Sequence, residues 1–333
     1  MAFDMGIAIS GKVEQLFQTE TGKKKIEKWI ELLTGVNKRS VSFIAAKQMF
    51  NKRGTRAYAT TGKIRNSKSV MPISVRYHGH EIGEIHVGIK GSRKFYLTKT
   101  ETYCNTFEKW GIDQAGTRGK EWDSKEVKLF FKTLWAKVNE LPKVVLEHEI
   151  ETILIHDLLE DTLPKKIICQ GIRPVTIGGL PFQMPIPFSP SDAEIRLSGE
   201  GNYGHIDVLA RTQFKEGGGL SLSVLELKKP KGDAHIALFQ AFIYACALRQ
   251  MLISEHKNVF LKLFGISRDR PIPFRALAVI DERDIEKMKR SKLTEWVLND
   301  PLCKNGQIVP GLLVYEYRTD KVIMKKLVRN IIV

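Results

Sequence analysis

The stretches GHIDVLA at residues 204–210 and LSLSVLELK at residues 220–228 have the composition of core β-strands, yet each carries charge. Successive side chains point to opposite faces of a strand, so Glu226 and Lys228 share one face. Three consecutive glycines precede the second stretch and favour a tight connection, which would make the two strands antiparallel neighbours. That pairing would bring Asp207 beside Glu226.

Two neighbouring carboxylates inside a sheet need a partner. Removing a carboxylate from water costs several kcal/mol, at order of magnitude, and two such groups also repel each other. A divalent cation resolves both problems. The candidate ligands are oxygen atoms, and no His or Cys stands at metal-binding spacing, so Mg²⁺ or Mn²⁺ is expected rather than zinc. The alternative is a structural salt bridge between Glu226 and Lys228 on an exposed edge strand.

The spacing of these charges is similar to a known signature. Asp207, eighteen intervening residues and then Glu226-Leu227-Lys228 resemble the D…(D/E)-x-K pattern of the PD-(D/E)xK, restriction-endonuclease-like nuclease superfamily. The resemblance covers about residues 144–281. Ile206 stands where the signature has proline, a position that varies across the superfamily.

The resemblance implies a metal-dependent nuclease, with DNA favoured over RNA as substrate. Asp207, Glu226 and the backbone carbonyl of Leu227 would bind one or two Mg²⁺ or Mn²⁺ ions. Lys228 would orient or help to deprotonate the attacking water. In-line attack would leave a 5′-phosphate and a 3′-hydroxyl.

A helix after the second strand adds a further element. Gln240 and Tyr244 stand four residues apart and share one face of an otherwise apolar helix. They resemble the Q-x-x-x-Y element of the RecB-type exonuclease branch, in which the Gln lies near the scissile phosphate. Both residues are also ordinary packing residues of amphipathic helices.

An earlier helix offers one more metal ligand. Glu147 lies close to the apolar arc of a helix predicted over residues 144–160, and Glu151 lies toward the edge of that arc. In many relatives a glutamate on the helix before the sheet reaches the metal. Glu147 is therefore the candidate and Glu151 its reserve, and an exposed helix glutamate is the alternative for each.

The pattern of elements predicts an α/β (α+β) protein of two domains. A basic α+β domain over residues 1–143 would precede a restriction-endonuclease-like core over residues 144–333, with a central mixed sheet covered by helices. Helices are predicted at 23–34, 40–51, 124–139, 144–160 and 234–253, the last capped by Asp233. Strands are predicted between 69 and 88 as a hairpin, and at 95–97, 193–198, 204–211, 220–228, 259–266, 275–281, 311–317 and 321–327.

Positive charge is concentrated near the start of the chain. The net charge is +16. Residues 38–99 hold 14 Lys and Arg but only two acids, which gives +12 for that segment. Such a field attracts polyanions, and nucleic acid is the expected partner. The candidate phosphate contacts are Lys52, Arg53 and Arg56, together with Lys229 and Lys231 after the second strand and Tyr244.

Other function classes find no support in the sequence. No G-x-x-x-x-G-K-[ST] phosphate loop, H-E-x-x-H motif or C-x-x-C pair is present, which argues against an ATP-driven motor, a zincin or a zinc knuckle. No secretory signal and no membrane segment is recognised, so a cytoplasmic protein without membrane contact is expected. A non-catalytic nucleic-acid-binding subunit, an RNA-processing nuclease, a homo-oligomer and a member of a larger defence, restriction or recombination complex remain open.

Overall fold

In the computed structural model, the described residues are 7–39, 55–60, 70–77, 80–88, 92–98, 101–112, 114–141, 146–160, 171–191, 194–197, 204–213, 220–266, 272–318 and 321–328. Contacts between Cα atoms group the chain into two compact units. The first consists of Met1–Thr34, Leu154–Val175 and Gln183–Val333, and the second consists of Gly35–Ile153 and Thr176–Phe182.

Both helices and strands are abundant, which confirms the mixed α and β class. The helices are α1 (Ile9–Gln18), α2 (Glu20–Arg39), α3 (Glu101–Lys109), α4 (Gln114–Thr117), α5 (Lys125–Lys137), α6 (Leu146–Glu160), α7 (Ala234–Ile253), α8 (Lys257–Leu263), α9 (Ile285–Lys289), α10 (Lys292–Asn299) and α11 (Pro301–Lys304). The strands are β1 (Thr55–Thr60), β2 (Val70–Tyr77), β3 (His80–Gly88), β4 (Arg93–Leu97), β5 (Lys120–Glu121), β6 (Ile172–Pro174), β7 (Thr176–Ile177), β8 (Leu180–Gln183), β9 (Pro185–Ile186), β10 (Phe188–Ser191), β11 (Glu194–Leu197), β12 (Gly204–His205), β13 (Val208–Gln213), β14 (Leu220–Leu227), β15 (Phe274–Asp281), β16 (Ile308–Arg318) and β17 (Lys321–Val328).

The first unit is built on a six-stranded mixed sheet in the order β17-β16-β15-β14-β13-β6. β14 pairs antiparallel with β13 and parallel with β15, and β15 pairs parallel with β16. The parallel step from β14 to β15 needs a crossover, which α7 and α8 supply. β14 therefore lies inside the sheet, and this excludes an edge strand as the setting of Glu226.

Helix α7 is the core helix of the first unit and packs against β14, β15 and β16. Among the described residues it alone is long and apolar enough to cross a membrane, with a mean hydropathy of 1.6. However, 67% of its most apolar window is buried inside the fold, as is usual for a core helix. The prediction of this helix over 234–253 is confirmed, but the Asp233 side chain makes no capping hydrogen bond.

The second unit contains a seven-stranded sheet in the order β5-β4-β3-β2-β1-β8-β7. Its first five strands in this order pair antiparallel, and β2 and β3 form the predicted hairpin, with Tyr77 opposite His80. Phe130 and Phe131 of α5 pack on Phe95 of β4, with ring centroids 5.4 and 5.3 Å away. This helix is capped by Ser124, whose hydroxyl accepts from the Val127 amide.

Several segments differ from the predicted organisation. The strand predicted at 204–211 is divided into β12 and β13, and Asp207 lies in the bend between them. Residues 257–263 form helix α8 instead of the strand predicted at 259–266, and the buried Phe260 and Leu263 lie on one face of it. The two N-terminal helices group with the six-stranded sheet, whereas the predicted boundary placed residues 1–143 in one domain. Trp29 of α2, fully buried, contacts Phe260 with ring centroids 5.4 Å apart. The helix predicted at 40–51 lies outside the described residues.

Candidate metal centre

The two predicted acids meet where the ladder between β13 and β14 ends. Val208, the first residue of β13, pairs with Leu225, so Asp207, in the bend just before β13, comes next to Glu226 of β14. The Asp207 amide donates to Glu226 Oε1 at 3.3 Å, and the Leu227 amide donates to Asp207 Oδ2 at 2.7 Å. Each carboxylate thus accepts a hydrogen bond from the backbone of the other strand.

These reciprocal hydrogen bonds orient the two carboxylates. Glu226 is 3% exposed, and Asp207 is half-buried. A main-chain amide carries no net charge, so it orients a carboxylate but leaves its negative charge in place. A carboxylate has two oxygens and about four lone-pair sites, so a hydrogen bond to one oxygen is compatible with a cation at the other.

Helix α7 brings a tyrosine to the same place. Tyr244 is 4% exposed, and its pKa is raised well above the ordinary value, first by burial and then by the charges of Glu226 and Asp207. Gly204 allows this approach, because a Cβ there would stand 2.8 Å from the Tyr244 hydroxyl and 2.6 Å from the Phe188 carbonyl oxygen. The strand of the first acid and the helix after the second are therefore in close contact.

Gln240 lies one turn before Tyr244 on α7. Its side-chain oxygen Oε1 is buried and has no hydrogen-bond partner in the described part of the chain. A buried amide oxygen without a donor costs free energy, of the order of 1–3 kcal/mol, unless a ligand, water or ion satisfies it. The helix thus places an unsatisfied oxygen on the same face as the tyrosine.

Lys228 follows β14 directly, and its backbone is held on two sides. Its amide donates to the Val279 carbonyl of β15 at 3.1 Å, and the fully buried Tyr315 hydroxyl of β16 donates to its carbonyl at 2.7 Å. Its ammonium Nζ donates to the Leu227 carbonyl at 2.9 Å. Tyr315 was not among the predicted site residues, because no local motif links it to a lysine 87 positions earlier.

The donor set fits magnesium or manganese. It consists of two carboxylates and the Leu227 carbonyl, and all are hard oxygen ligands. Within the described residues no cluster of three or more His, Cys, Asp or Glu could hold a metal ion. Mg²⁺ does not need such a cluster, since it keeps several waters and binds through one or two carboxylates together with substrate phosphate.

The helix glutamates have neighbours in the second unit. Glu151 is 3% exposed, and its Oε2 hydrogen-bonds His148 Nδ1 at 3.4 Å. Its charge also raises the pKa of Tyr58 on β1, after the larger effect of burial. Glu147 is half-buried on the first turn of α6. The role of either glutamate as a metal ligand stays a prediction.

The residues predicted to contact phosphate differ in their position in the structure. Lys52 and Arg53 lie outside the described residues. Arg56 is 4% exposed on β1, where all six residues are buried, so its prediction as a surface contact is wrong. Lys229 and Lys231 are exposed on the segment 228–233 after β14.

The segment 228–233 is held in a defined conformation. The buried Asp284 accepts from the Lys231 amide at 2.9 Å, and Lys231 itself has the left-handed φ of 60°. Lys287 Nζ donates to the Gly232 carbonyl at 3.4 Å. Two exposed lysines therefore follow Lys228 on a loop whose conformation is fixed by hydrogen bonds.

Comparisons of the chain with protein-family models, with curated proteins and with solved structures find no significant match.

Proposed function

We propose that this protein is a metal-dependent nuclease that hydrolyses phosphodiester bonds, with DNA favoured over RNA. One observation carries the proposal, namely that Asp207 and Glu226 meet at the end of paired strands, each bound to the other strand's backbone. Lys228 follows the second acid directly. This arrangement supports the resemblance to the PD-(D/E)xK superfamily.

Different residues of this chain would bind the metal ion, orient the attacking water and stabilise charge on the phosphate. Asp207, Glu226 and the Leu227 carbonyl would hold Mg²⁺ or Mn²⁺. The bound ion would lower the pKa of a coordinated water and offset negative charge on the phosphate. Lys228 would orient the attacking water and place its positive charge near the developing charge of the phosphate. The buried oxygen of Gln240 would accept a hydrogen bond from that water.

Two further residues would set the geometry. Tyr315 and Val279 fix the peptide of Lys228 from the neighbouring strands, so the ammonium group starts from a defined position. Preorganisation of this kind matters because a misplacement of about 1 Å can cost on the order of a hundredfold in rate. Lys229 and Lys231 would contact phosphates beside the scissile bond.

The substrate class follows from charge. A net charge of +16 favours a polyanionic partner and speeds its encounter with the protein. Phosphate contacts supply most of the sequence-independent affinity for nucleic acid. A nuclease that cuts many sequences and a nuclease that recognises one site both fit this charge.

The decisive experiment is incubation with circular and linear DNA and with RNA, each in Mg²⁺, Mn²⁺, Ca²⁺ or EDTA. Cleavage should require Mg²⁺ or Mn²⁺ and should stop in EDTA. Ca²⁺ should bind but support cleavage poorly, because its looser coordination places the water badly. Cleavage at the full rate in EDTA, or no cleavage of any substrate with any metal, would overturn the proposal.

A matched pair of variants guards this experiment against contaminating nucleases. Glu226→Gln removes the charge of the proposed ligand, whereas Glu295→Gln makes the same change at an exposed position of α10. Both proteins are purified in the same way. The proposal requires cleavage to disappear with Glu226→Gln and to remain with Glu295→Gln.

A further inference from the structure

The exposed face of α5 carries three lysines, Lys125, Lys128 and Lys132, which we call the α5 lysine face. All three are exposed, and none has a carboxylate within 4.0 Å among the residues that the structure describes. The acid beside them, Glu126, is ion-paired with Lys120 at 4.0 Å. The charge of Glu126 also interacts with that of Lys125, so the positive charge of the face is partly offset at its first lysine.

The α5 lysine face is unfavourable for the helix itself. Lys125 occupies the first turn, where the helix dipole favours acidic residues. Lys128 and Lys132 stand four residues apart, and like charges at that spacing weaken a helix. Leu129 lies between them and is 63% exposed. The exposed acids Glu121, Asp123 and Glu126 stand around the first lysine, but no acid stands between Lys128 and Lys132.

We infer that the α5 lysine face binds the phosphate backbone of nucleic acid, with duplex DNA as the favoured form. This inference takes its ligand class from the proposed function. Seven residues of α-helix extend about 10 Å, and successive base pairs of DNA rise about 3.4 Å, so the three lysines span about three phosphates of one strand. Lysine ammonium groups on flexible stems suit such sequence-independent contacts.

Three arginines of the second unit are buried or lie near aromatic rings. Arg56 is buried, the Arg76 guanidinium lies 4.8 Å from the Tyr58 ring centroid, and that of Arg93 lies 5.9 Å from Trp122. These arginines stabilise the fold by contacts with aromatic rings and neighbouring strands. Lys94, Lys109 and Arg118 of this unit are also exposed, but each stands on a different segment, whereas the three lysines of α5 share one helix face.

An anionic membrane is the competing partner, and the structure disfavours it. A membrane-surface helix needs an apolar face to insert between lipids. The apolar face of α5 consists of Val127, Phe130, Phe131 and Leu134, and all four are buried in the second unit. Leu129 alone offers too little apolar area for insertion. Electrostatic contact with a polyanion needs no apolar face.

The test measures binding in EDTA, where the proposed chemistry cannot proceed, using fluorescence anisotropy of a labelled 30-base-pair duplex between 50 and 200 mM salt. The variant Lys125→Gln/Lys128→Gln/Lys132→Gln removes the face but keeps good helix formers. Its control, Lys24→Gln/Lys28→Gln/Lys292→Gln, makes the same charge change at exposed positions of α2 and α10.

Each lost phosphate contact should lower the slope of log affinity against log salt by about 0.9. The α5 variant should therefore bind more weakly at low salt, and its affinity should fall about 40-fold less than that of the wild type across this salt range. The control should keep the wild-type slope. Equal slopes for both variants, or binding to phosphatidylserine vesicles but not to the duplex, would overturn the inference.

One more variant keeps the inference testable if the triple variant is poorly folded. Leu129→Lys adds a fourth charge at an exposed site and should raise affinity and steepen the salt slope, whereas Leu129→Gln should do neither. An unchanged slope with Leu129→Lys would count against the face. A protein that binds through these lysines but never cleaves would overturn the proposed function alone.

Discussion

The acids at the end of the β13–β14 ladder and the polar residues in the middle of the seven-stranded sheet are held in different ways. At the end of the six-stranded sheet, Asp207 and Glu226 accept hydrogen bonds from main-chain amides. In the seven-stranded sheet, side chains satisfy one another: Ser74 donates to Glu81 at 2.9 Å, and Arg76 donates to Ser74 at 3.0 Å. The first arrangement orients charge, and the second balances it.

This difference indicates which sheet is suited to chemistry. A hydrogen bond from a main-chain amide orients a carboxylate and adds no charge of its own, whereas a network of polar side chains contributes to the fold. The seven-stranded unit carries exposed lysines on the surface of α5. We therefore expect reaction chemistry in the first unit and substrate binding in the second. Four predictions test this expectation.

The largest effect is expected from the two acids. Asp207→Asn and Glu226→Gln keep an oxygen that can accept the backbone hydrogen bond but lose the charge that binds metal. Cleavage should fall by at least about a thousandfold, the scale for loss of a central electrostatic group. Melting in EDTA should be unchanged or slightly higher, because repulsion between the acids is relieved. Retained cleavage together with a large loss of melting temperature would show that these acids are structural.

Lys228→Met should have the next largest effect, because it removes the charge but keeps the length of the side chain. Turnover should fall by about a hundredfold or more, which matches loss of a general acid or base. Mn²⁺ affinity, measured by calorimetry, should stay near the wild-type value, since both carboxylates remain. A loss of metal affinity as large as that of Asp207→Asn would place the lysine in a structural role.

Asp281 should behave as a structural acid of the same sheet. It is fully buried, and Arg283 donates to it from its amide, from Nε at 2.6 Å and from Nη2 at 3.0 Å. Burial alone would raise the pKa of Asp281, but the hydrogen bonds from Arg283 and Tyr317 outweigh it and lower the pKa. Asp281→Asn should lower the free energy of unfolding by about 2 kcal/mol.

The lowered pKa of Asp281 also determines how its contribution to stability changes with pH. A lowered pKa stabilises the fold above the ordinary value of 3.8, and the contribution is lost as the pH falls through the lowered pKa. Urea unfolding of the wild type should therefore show a loss of stability below pH 3.8 that Asp281→Asn lacks. Cleavage by the folded variant at pH 7 should persist. Abolished cleavage with unchanged stability would extend the reaction site to Asp281.

The smallest effect is expected from a matched pair of tyrosines, one in each unit. Tyr244 lies near Glu226 and Tyr58 lies near Glu151, and burial is the main cause that raises both pKa values. Tyr244→Phe should slow cleavage by up to about tenfold, the scale of one hydrogen bond. Tyr58→Phe should leave the rate unchanged. Equal slowing by both substitutions would remove the distinction between the units.

Local sequence patterns predicted much of the site region. The apolar composition of 204–210 and 220–228 predicted two strands, and glycines between them predicted an antiparallel pair. The structure has this pairing, with Val208 opposite Leu225. The first of these strands is interrupted at Ile206 and Asp207. A charge within an apolar strand is a strong local signal, because burial of a charge without a purpose is costly. The chemical roles of Asp207, Glu226 and Lys228 remain predictions.

The sequence patterns gave wrong or incomplete predictions where contacts between distant segments determine the structure. The apolar run of α8 fits a strand or a helix equally well, and the burial of Phe260 and Leu263 on one face selects the helix. Helix α2 was predicted to end before Gly35, yet it continues to Arg39, and Val36 is fully buried in this extension. Tyr315 could not be found from local sequence either, since its partner is on another strand.

Helices α1 and α2 have a consequence for how the chain is made. They are synthesised well before their packing partners: Phe17 stacks on Phe188 with ring centroids 5.1 Å apart, and the Ser10 amide donates to Asp300 across 290 positions. The apolar faces of both helices therefore stay exposed to solvent while the seven-stranded unit is being synthesised. We expect nascent chains that stop before residue 300 to depend on chaperones.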